Sequence, residues 1–205
     1  MYDHVLRQPK RIVYQPLAKR IPLSPNLITL LGLLPGLAAA LACLGGFYRV
    51  ALWLWVLNRL LDGLDGEVAR AQNKQSDLGG YLDILADLLV YAAIPMAIAI
   101  HWNTPSIWFA CCFMLMSFYL NVGSWMYLSS ILEKIGMGAK KTGESTSVCM
   151  PRGLIEGGET VLVFTVFLVW PAQAVWLFGV FGCLTFLGAA LRVRWAMSAL
   201  PKLES

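Results

Sequence analysis

Four aspartates stand inside stretches of sequence that are otherwise apolar enough to lie in a membrane. They are Asp62, Asp65, Asp83 and Asp87, within NRLLDGLDGEVARAQNKQSDLGGYLDILAD, which runs from 58 to 87. A carboxylate near the bilayer centre costs roughly 3 kcal/mol, so four unpaired ones would cost on the order of 12 kcal/mol. A proton, a basic partner or a bound cation must offset this cost, so the segment strongly restricts the fold.

Helical spacing groups these aspartates into two stripes. Asp62 and Asp65 lie one turn apart on one helix face, and Gly79, Asp83 and Asp87 form a second stripe at i, i+4 and i+8. If the two helices pack antiparallel across the polar link between them, the four carboxylates converge. Oxygen ligands suit Mg²⁺, Mn²⁺ and Ca²⁺, and four carboxylates can hold two such ions. The spacing therefore predicts a metal site.

The chain as a whole is too apolar for an ordinary soluble protein. Of its 205 residues, 58% are hydrophobic and 14% are charged, with a mean hydropathy of +0.64. We expect an all-α, polytopic membrane protein, a single membrane domain over 1–205 with a six-helix bundle over 24–200. The second hydrophobic run, 48–61, is shorter than the ~20 residues that cross a bilayer, so this span requires a helix that continues to about residue 70. The hydrophobic runs that predict six transmembrane helices are 27–47, 48–61, 78–101, 105–132, 154–171 and 173–191.

Basic residues predict the orientation of these spans. They cluster before the first span and after the second, fourth and sixth, while the opposite loops hold only Arg49. Under the positive-inside rule, both termini and the carboxylate-bearing helix ends face the cytoplasm, in a bacterial or archaeal inner membrane. Residues 1–22 mix apolar and basic side chains, which predicts an amphipathic juxtamembrane segment or a basic tail that only sets orientation. No nucleic-acid partner is expected.

From Asp62 to Asp87 the sequence fits D-x-x-D-G-x-x-A-R, then eight residues, then G-x-x-x-D-x-x-x-D, without a departure. The pattern resembles the motif of the CDP-alcohol phosphatidyltransferases, a family of integral membrane enzymes. The resemblance implies transfer of a phosphatidyl group from CDP-diacylglycerol to the hydroxyl of a polar alcohol, with release of CMP. It also implies two divalent ions, Mg²⁺ or Mn²⁺, at the four aspartates, Asp87 as the general base, and a homodimer in the lipid bilayer.

Small and basic residues around the motif suggest where the donor nucleotide binds. Gly66, Ala69 and Gly79 would let a base and its ribose approach the helix backbones, and the forked cation of Arg70 suits a diphosphate. By resemblance, Asn26 and Thr29 at the start of the first helix and Ser76 before the third also contact the nucleotide. N-capping is the alternative explanation for Ser24 or Asn26 and for Ser76. The expected donor-binding residues are Asn26, Thr29, Gly66, Ala69, Arg70, Ser76 and Gly79. Arg59 either neutralises the acidic cluster or points to water.

The fifth span begins RGLIEGGET, which places one basic and two acidic residues on neighbouring faces of a membrane entrance. We expect an acceptor pocket there, with basic residues from the preceding loop, although a simple interfacial ion pair explains part of the pattern. Relatives that use inositol phosphate tend to carry Glu-Arg-x-Glu-Arg here, whereas this chain has Gly157 and Thr160 in place of the arginines. That departure disfavours an inositol phosphate acceptor. The candidate acceptor residues are Arg152, Glu156, Glu159, Lys140 and Lys141.

Three other functions are compatible with parts of the sequence. A CDP-aminoalcohol phosphotransferase would move phosphocholine or phosphoethanolamine to diacylglycerol. A cation transporter would use the intramembrane carboxylates to carry ions and release no CMP. A structural scaffold would tolerate replacement of all four aspartates. For the favoured function, the acceptor stays open among glycerol 3-phosphate, serine, inositol and an aminoalcohol.

Overall fold

The structure is a computed structural model that describes residues 18, 20–136, 155 and 157–203. Within these ranges the chain forms six α-helices and no strand, so the expected all-α fold is confirmed. The helices are α1 Pro25–Leu44, α2 Tyr48–Ala71, α3 Asp77–Trp102, α4 Pro105–Lys134, α5 Gly157–Val169 and α6 Ala174–Leu203, with a 3₁₀ turn at Pro171–Gln173. The predicted interfacial segment 1–22 lies outside the described residues except for its last few positions.

Four of the described helices are long and apolar enough to cross a membrane: α1, α3, α4, and α6 with the turn before it. Helix α2 has 24 residues but carries the acidic motif, and α5 has only 13 residues in the described part of the chain. The polytopic membrane fold is thus confirmed for four helices. The count of six spans stays a prediction.

Many large apolar side chains of the described helices are exposed. Trp53, Phe109, Tyr119 and Trp176 are 74%, 78%, 79% and 76% exposed. Soluble proteins rarely expose so many large apolar side chains, because water penalises apolar surface. Lipid removes that penalty, so the surface agrees with a membrane location.

The helix boundaries follow local chemistry. The Ser24 hydroxyl accepts a hydrogen bond from the Leu27 N–H at 3.3 Å, and the Ser76 hydroxyl accepts one from the Gly79 N–H at 3.1 Å. These side chains satisfy backbone donors that the first turns of α1 and α3 leave unpaired. Helix α3 ends at Trp102, because the next residue, Asn103, has a left-handed φ of 44° that stops the helix. Both N-caps were among the interpretations of the sequence.

Two helices end at different residues from the hydrophobic runs. The first run extends to 47, but α1 stops at Leu44 because a glycine pair follows, with Gly46 at a φ of +75°. The sixth run ends at 191, yet α6 continues to Leu203. The continuation is possible because Arg192, just beyond the apolar run, is buried and donates a hydrogen bond to the Ser124 hydroxyl at 2.7 Å.

The chain divides into two compact units, and the first comprises Met1–Thr104 and Val161–Ala174. In it, α1 packs closely against both α2 and α3. Gly36 permits this approach, since a Cβ there would lie 2.6 Å from Val90 Cγ2 and 3.0 Å from Asn58 Nδ2. Asn58 donates a hydrogen bond to the Gly32 carbonyl at 2.9 Å. Small residues and one buried amide therefore fix α1 against its neighbours.

Aromatic rings join the described part of α5 to α2 and α3 within the same unit. The ring centroids of Trp55 and Phe164 are 5.7 Å apart, and those of Tyr91 and Phe164 are 4.9 Å apart. The Trp55 indole also donates a hydrogen bond to the Thr165 hydroxyl at 3.0 Å. Such ring pairs add roughly 0.5–1.5 kcal/mol beyond the burial of their surface.

The second unit comprises Pro105–Thr160 and Val175–Ser205, and polar bonds connect α4 to α6 inside it. The hydroxyls of Ser117 and Thr185 are 2.8 Å apart and buried. Further along, Arg192 donates to the side-chain oxygen of Asn121 at 3.0 Å as well as to Ser124. In lipid, such interhelical bonds replace the contribution that hydrophobic burial makes in water.

We predict that Gly36→Ala destabilises the protein. Its Cβ would meet a methyl of Val90, a β-branched side chain with few alternative rotamers, so we expect the free energy of unfolding to fall by about 1–3 kcal/mol. The measurement is thermal or denaturant unfolding in detergent. Gly179→Ala in α6 is the control, because no atom lies within 4 Å of its Cβ position. Equal stability of the two variants would contradict the close packing of α1.

Candidate functional site

The four motif carboxylates converge in the first unit, between α2 and α3. Each interacts electrostatically with the other three, and the carboxyl groups of Asp62 and Asp83 lie within hydrogen-bonding reach of each other. Asp65 is 6% exposed, whereas Asp62, Asp83 and Asp87 are partly buried. The structure therefore brings together the residues that helical spacing grouped. Their role in binding metal stays a prediction.

A short link between α2 and α3 brings the two acidic segments together. The Lys74 N–H donates a hydrogen bond to the Ala69 carbonyl at 2.8 Å, and Asn73 adopts a left-handed φ of 52°. This conformation is one that asparagine tolerates better than most residues. Ser76 then begins α3 at once. The end of α2 and the start of α3 are consequently neighbours, and both carry acidic residues.

Arg59 reaches into the cluster from α2. Its Nη2 lies 2.7 Å from Oδ1 of Asp87, and its Nη1 lies 3.6 Å from Oδ2 of Asp62. The arginine side chain is only 11% exposed. Of the two interpretations from the sequence, the structure thus shows the first, because the guanidinium neutralises the carboxylates and does not point to water.

Three residues that the sequence did not single out surround the Arg59 guanidinium. Its Nε donates to the side-chain oxygen of Asn58 at 2.8 Å, and its Nη1 donates to the Tyr91 hydroxyl at 3.1 Å. Its Cζ lies 4.7 Å from the ring centroid of Trp55 and 5.3 Å from that of Tyr91, within the range of cation–π attraction. Their spacing could have placed two of them near the cluster, since Trp55 precedes Arg59 by four residues and Tyr91 follows Asp87 by four, about one helical turn in each case.

Thr29 connects α1 to the acidic cluster. Its hydroxyl donates a hydrogen bond to Oδ2 of Asp65 at 2.5 Å, and both residues are buried. A hydrogen bond to a buried carboxylate is stronger than one between neutral groups. The resemblance assigned Thr29 to the nucleotide, and that role stays a prediction beside its observed contact with Asp65.

Other expected donor-binding residues meet where α3 begins. A Cβ on Gly79 would lie 3.1 Å from the side-chain oxygen of Asn26 and 3.2 Å from the Ser76 hydroxyl. Asn26 from α1 and Ser76 therefore face the backbone of Gly79. A larger side chain at this glycine would have to displace both polar groups.

Arg70 lies against Gly66 at the other helix end. Its Nη2 is 3.2 Å from the position of a Cβ on Gly66 and donates to Oε1 of Glu67 at 2.9 Å. The Arg70 side chain is 46% exposed, whereas that of Glu67 is only 13% exposed. The Arg70 guanidinium therefore meets solvent while it pairs with Glu67, and its role toward a donor nucleotide stays a prediction. Ala69, one turn of helix from Gly66, is partly buried.

The chemistry of the cluster fits a hard divalent cation. If all four carboxylates are ionised, Arg59 leaves a formal surplus of three negative charges in a partly buried place. Carboxylate oxygens are the ligands that Mg²⁺ and Mn²⁺ prefer. Among the residues that the structure describes, no group of three or more acidic, histidine or cysteine side chains is already arranged to hold a metal. Binding would therefore require some of these side chains to move closer to the others.

Only one of the candidate acceptor residues, Glu159, lies in the part of the chain that the structure describes. Lys140, Lys141, Arg152 and Glu156 lie outside the described residues. Glu159 belongs to the second unit, in the first turn of α5, and is partly buried. The acceptor site stays a prediction from the sequence.

Comparison with known proteins relates the chain to a family of membrane enzymes. A family model described as CDP-alcohol phosphatidyltransferase matches residues 22–198. The chain is 31% identical over 182 residues to the inner membrane protein YnjF of Escherichia coli K12, covering 89% of this chain and 87% of that protein.

Solved structures show the same fold. The phosphatidylinositol phosphate synthase of Mycobacterium tuberculosis with CDP-DAG bound has a TM-score of 0.68 at 20% identity, covering 89% of this chain and 92% of that one. The same synthase in complex with manganese and citrate has a TM-score of 0.68 at 19% identity, covering 88% and 87%. At such low identity, the likeness concerns the fold alone.

We predict that Thr29→Val lowers stability by about 1–3 kcal/mol, because the buried Asp65 loses the hydroxyl that donates to it while the side-chain volume hardly changes. Denaturant unfolding in detergent measures the difference. Thr29→Ser is the matched control, since it keeps the hydroxyl. If valine is tolerated as well as serine, the bond between α1 and α2 contributes little.

Proposed function

We propose, since the chain belongs to the CDP-alcohol phosphatidyltransferase family, that it transfers a phosphatidyl group from CDP-diacylglycerol to the hydroxyl of a polar alcohol and releases CMP. Family membership confirms the class of enzyme expected from the sequence, a phosphatidyltransferase of phospholipid biosynthesis. The observation that carries the proposal for the site is the convergence of the four motif aspartates on α2 and α3.

The donor is assigned from charge and space around the motif. The acyl chains would lie in the bilayer, and the diphosphate would lie at the acidic cluster with Arg70 as its cationic partner. The Arg70 guanidinium, a forked planar cation that is 46% exposed, supports this role. Gly66 and Gly79 would admit the nucleotide beside Ala69, Asn26, Thr29 and Ser76. The CDP-DAG bound to the solved M. tuberculosis synthase supports the choice of donor.

Two divalent ions, Mg²⁺ or Mn²⁺, complete the proposed site, held by Asp62, Asp65, Asp83 and Asp87. When bound, they would polarise the phosphoryl oxygens and stabilise the leaving group as Lewis acids. The manganese complex of the solved synthase supports metal use. Asp87 would accept the proton of the acceptor hydroxyl as its oxygen bonds to the phosphatidyl phosphorus. The bond between that phosphorus and the CMP oxygen then breaks, and CMP leaves.

The acceptor is assigned to the entrance of α5, with Glu159, Glu156 and Arg152, together with Lys140 and Lys141 of the preceding loop. Acidic groups would suit an amine, and basic groups would suit a phosphate or carboxylate. Glycerol 3-phosphate, serine, inositol and an aminoalcohol are the candidates. Gly157 and Thr160 argue against inositol phosphate, as the sequence suggested.

The apolar helices and the E. coli inner membrane relative agree on an integral membrane location. We propose in addition a bacterial or archaeal inner membrane, with both termini and the acidic helix ends on the cytoplasmic side. The distribution of basic residues supports this orientation. The family resemblance supports a homodimer, and the hydrophobic composition of the whole chain supports one membrane domain over 1–205.

Release of CMP from CDP-diacylglycerol tests the function directly. We expect the purified protein in detergent with Mg²⁺ or Mn²⁺ to release CMP when one of the four candidate alcohols is added. CDP-choline with diacylglycerol should give no CMP. The reverse pattern would establish the aminoalcohol phosphotransferase instead. Uptake of Mn²⁺ into proteoliposomes without CMP release in any arm would establish a transporter.

The four motif aspartates should be essential. Asp62→Asn, Asp65→Asn, Asp83→Asn and Asp87→Asn each remove a charge at nearly constant volume. For Asp87→Asn the loss of the base predicts a fall in kcat of about 10²–10⁴-fold. Asp77→Asn is the matched control, because Asp77 is an exposed first-turn residue of α3 outside the cluster. Chelator should abolish turnover, and full activity in chelator or in two of the four variants would refute the metal mechanism.

A further inference from the structure

The Arg59 guanidinium is fixed on several sides at once. Nε bonds to Asn58, Nη1 bonds to the Tyr91 hydroxyl, and the rings of Trp55 and Tyr91 lie within cation–π distance of Cζ. Nη2 is the nitrogen that donates to Asp87, at 2.7 Å. A guanidinium carries its five N–H donors in one rigid plane, so these contacts together set the direction of Nη2.

The support of Arg59 extends to a third helix. Asn58 is 3% exposed and donates from Nδ2 to the Gly32 carbonyl of α1 at 2.9 Å, while its Oδ1 accepts from Arg59. Both ends of this amide are therefore engaged. A chain of bonds runs from the α1 backbone through Asn58 and Arg59 to Asp87 on α3.

Arg59 contacts Asp87 through one carboxylate oxygen. The contact is with Oδ1, and the Asp87 side chain is 28% exposed. We propose that Arg59 is a positioning residue that fixes the Asp87 carboxylate through Oδ1 and so presents Oδ2 to the divalent cation or the acceptor proton. This inference rests on the proposed function, and it gives Arg59 a part in the reaction that the family motif does not contain.

A change of arginine to lysine separates positioning from charge. Lysine keeps the positive charge but has one nitrogen on a flexible chain, so it cannot bond to Asn58, Tyr91 and Asp87 in the same planar arrangement. If Arg59 contributed charge alone, lysine would replace it. If Arg59 orients Asp87, lysine would leave the carboxylate misplaced.

The experiment compares the wild-type protein with Arg59→Lys, Tyr91→Phe and Arg49→Lys. Tyr91→Phe removes one acceptor of the guanidinium but keeps the ring, and Arg49→Lys is the control in the exposed start of α2. Binding of Mn²⁺ without substrates is followed by the electron paramagnetic resonance signal of the free ion. In parallel, kcat and KM for CDP-diacylglycerol are measured.

We expect Arg59→Lys to weaken Mn²⁺ binding by about 10–100-fold, the usual effect of losing a partner that orients a metal ligand. Its kcat should fall while KM for the donor changes little. Tyr91→Phe should show a smaller change in the same direction, and Arg49→Lys should match the wild type. A purely structural role would instead lower thermal stability with no selective effect on Mn²⁺ affinity or kcat.

Wild-type Mn²⁺ affinity and kcat in Arg59→Lys would overturn the inference. If Arg59→Lys does not fold, Tyr91→Phe becomes the test of the inference. Wild-type Mn²⁺ affinity and kcat in Tyr91→Phe would then overturn it. A wild-type protein that binds Mn²⁺ but releases no CMP from CDP-diacylglycerol would refute the proposed donor alone. Absence of Mn²⁺ binding by the wild type would refute both proposals.

Discussion

The ion pair between Arg59 and Asp87 makes it possible for the charged helices α2 and α3 to lie in apolar surroundings. Two partly buried charges are stabilised only if their remaining hydrogen-bonding groups are also satisfied, and removal of one partner costs about 3–5 kcal/mol. Asn58 and Tyr91 supply those further bonds. Asn58 can do so because Gly36 lets α1 approach it closely. These packing contacts in the first unit therefore stabilise the ion pair between Arg59 and Asp87.

Features that depend on spacing along one helix could be predicted from the sequence. Asp83 and Asp87 share a face because a helix repeats every 3.6 residues, and this holds wherever the helix packs. Ser76 caps α3 because a hydroxyl before a helix bonds to the backbone of its own first turn. The motif in turn identified the family, since its defined residues stand at fixed spacing along the chain. These properties are local in the chain.

Spacing could have suggested that Trp55 and Tyr91 lie near the cluster, but the contacts that they make with Arg59 could not be predicted, because those depend on how the helices rotate against one another. Periodicity places Tyr91 one turn from Asp87, but it does not say that the Tyr91 hydroxyl meets an arginine 32 residues earlier. Hydropathy likewise missed the end of α1, since it averages over the glycine pair whose backbone stops the helix. The acceptor residues depend on the segment before α5, where no apolar stripe or motif fixes the conformation in advance.

The five residues from 72 to 76 that join α2 to α3 also bear on how the protein enters a membrane. A link this short costs little loop-closure entropy, so the two helices can pair as soon as both have been synthesised. Inserted alone, α2 would bring Arg59 and two aspartates into lipid. If the two helices insert together as a hairpin, Arg59 can pair with Asp87 before either charge meets lipid alone. The order of the motif along the chain thus favours a folding route in which the acidic helices are never separately exposed to lipid.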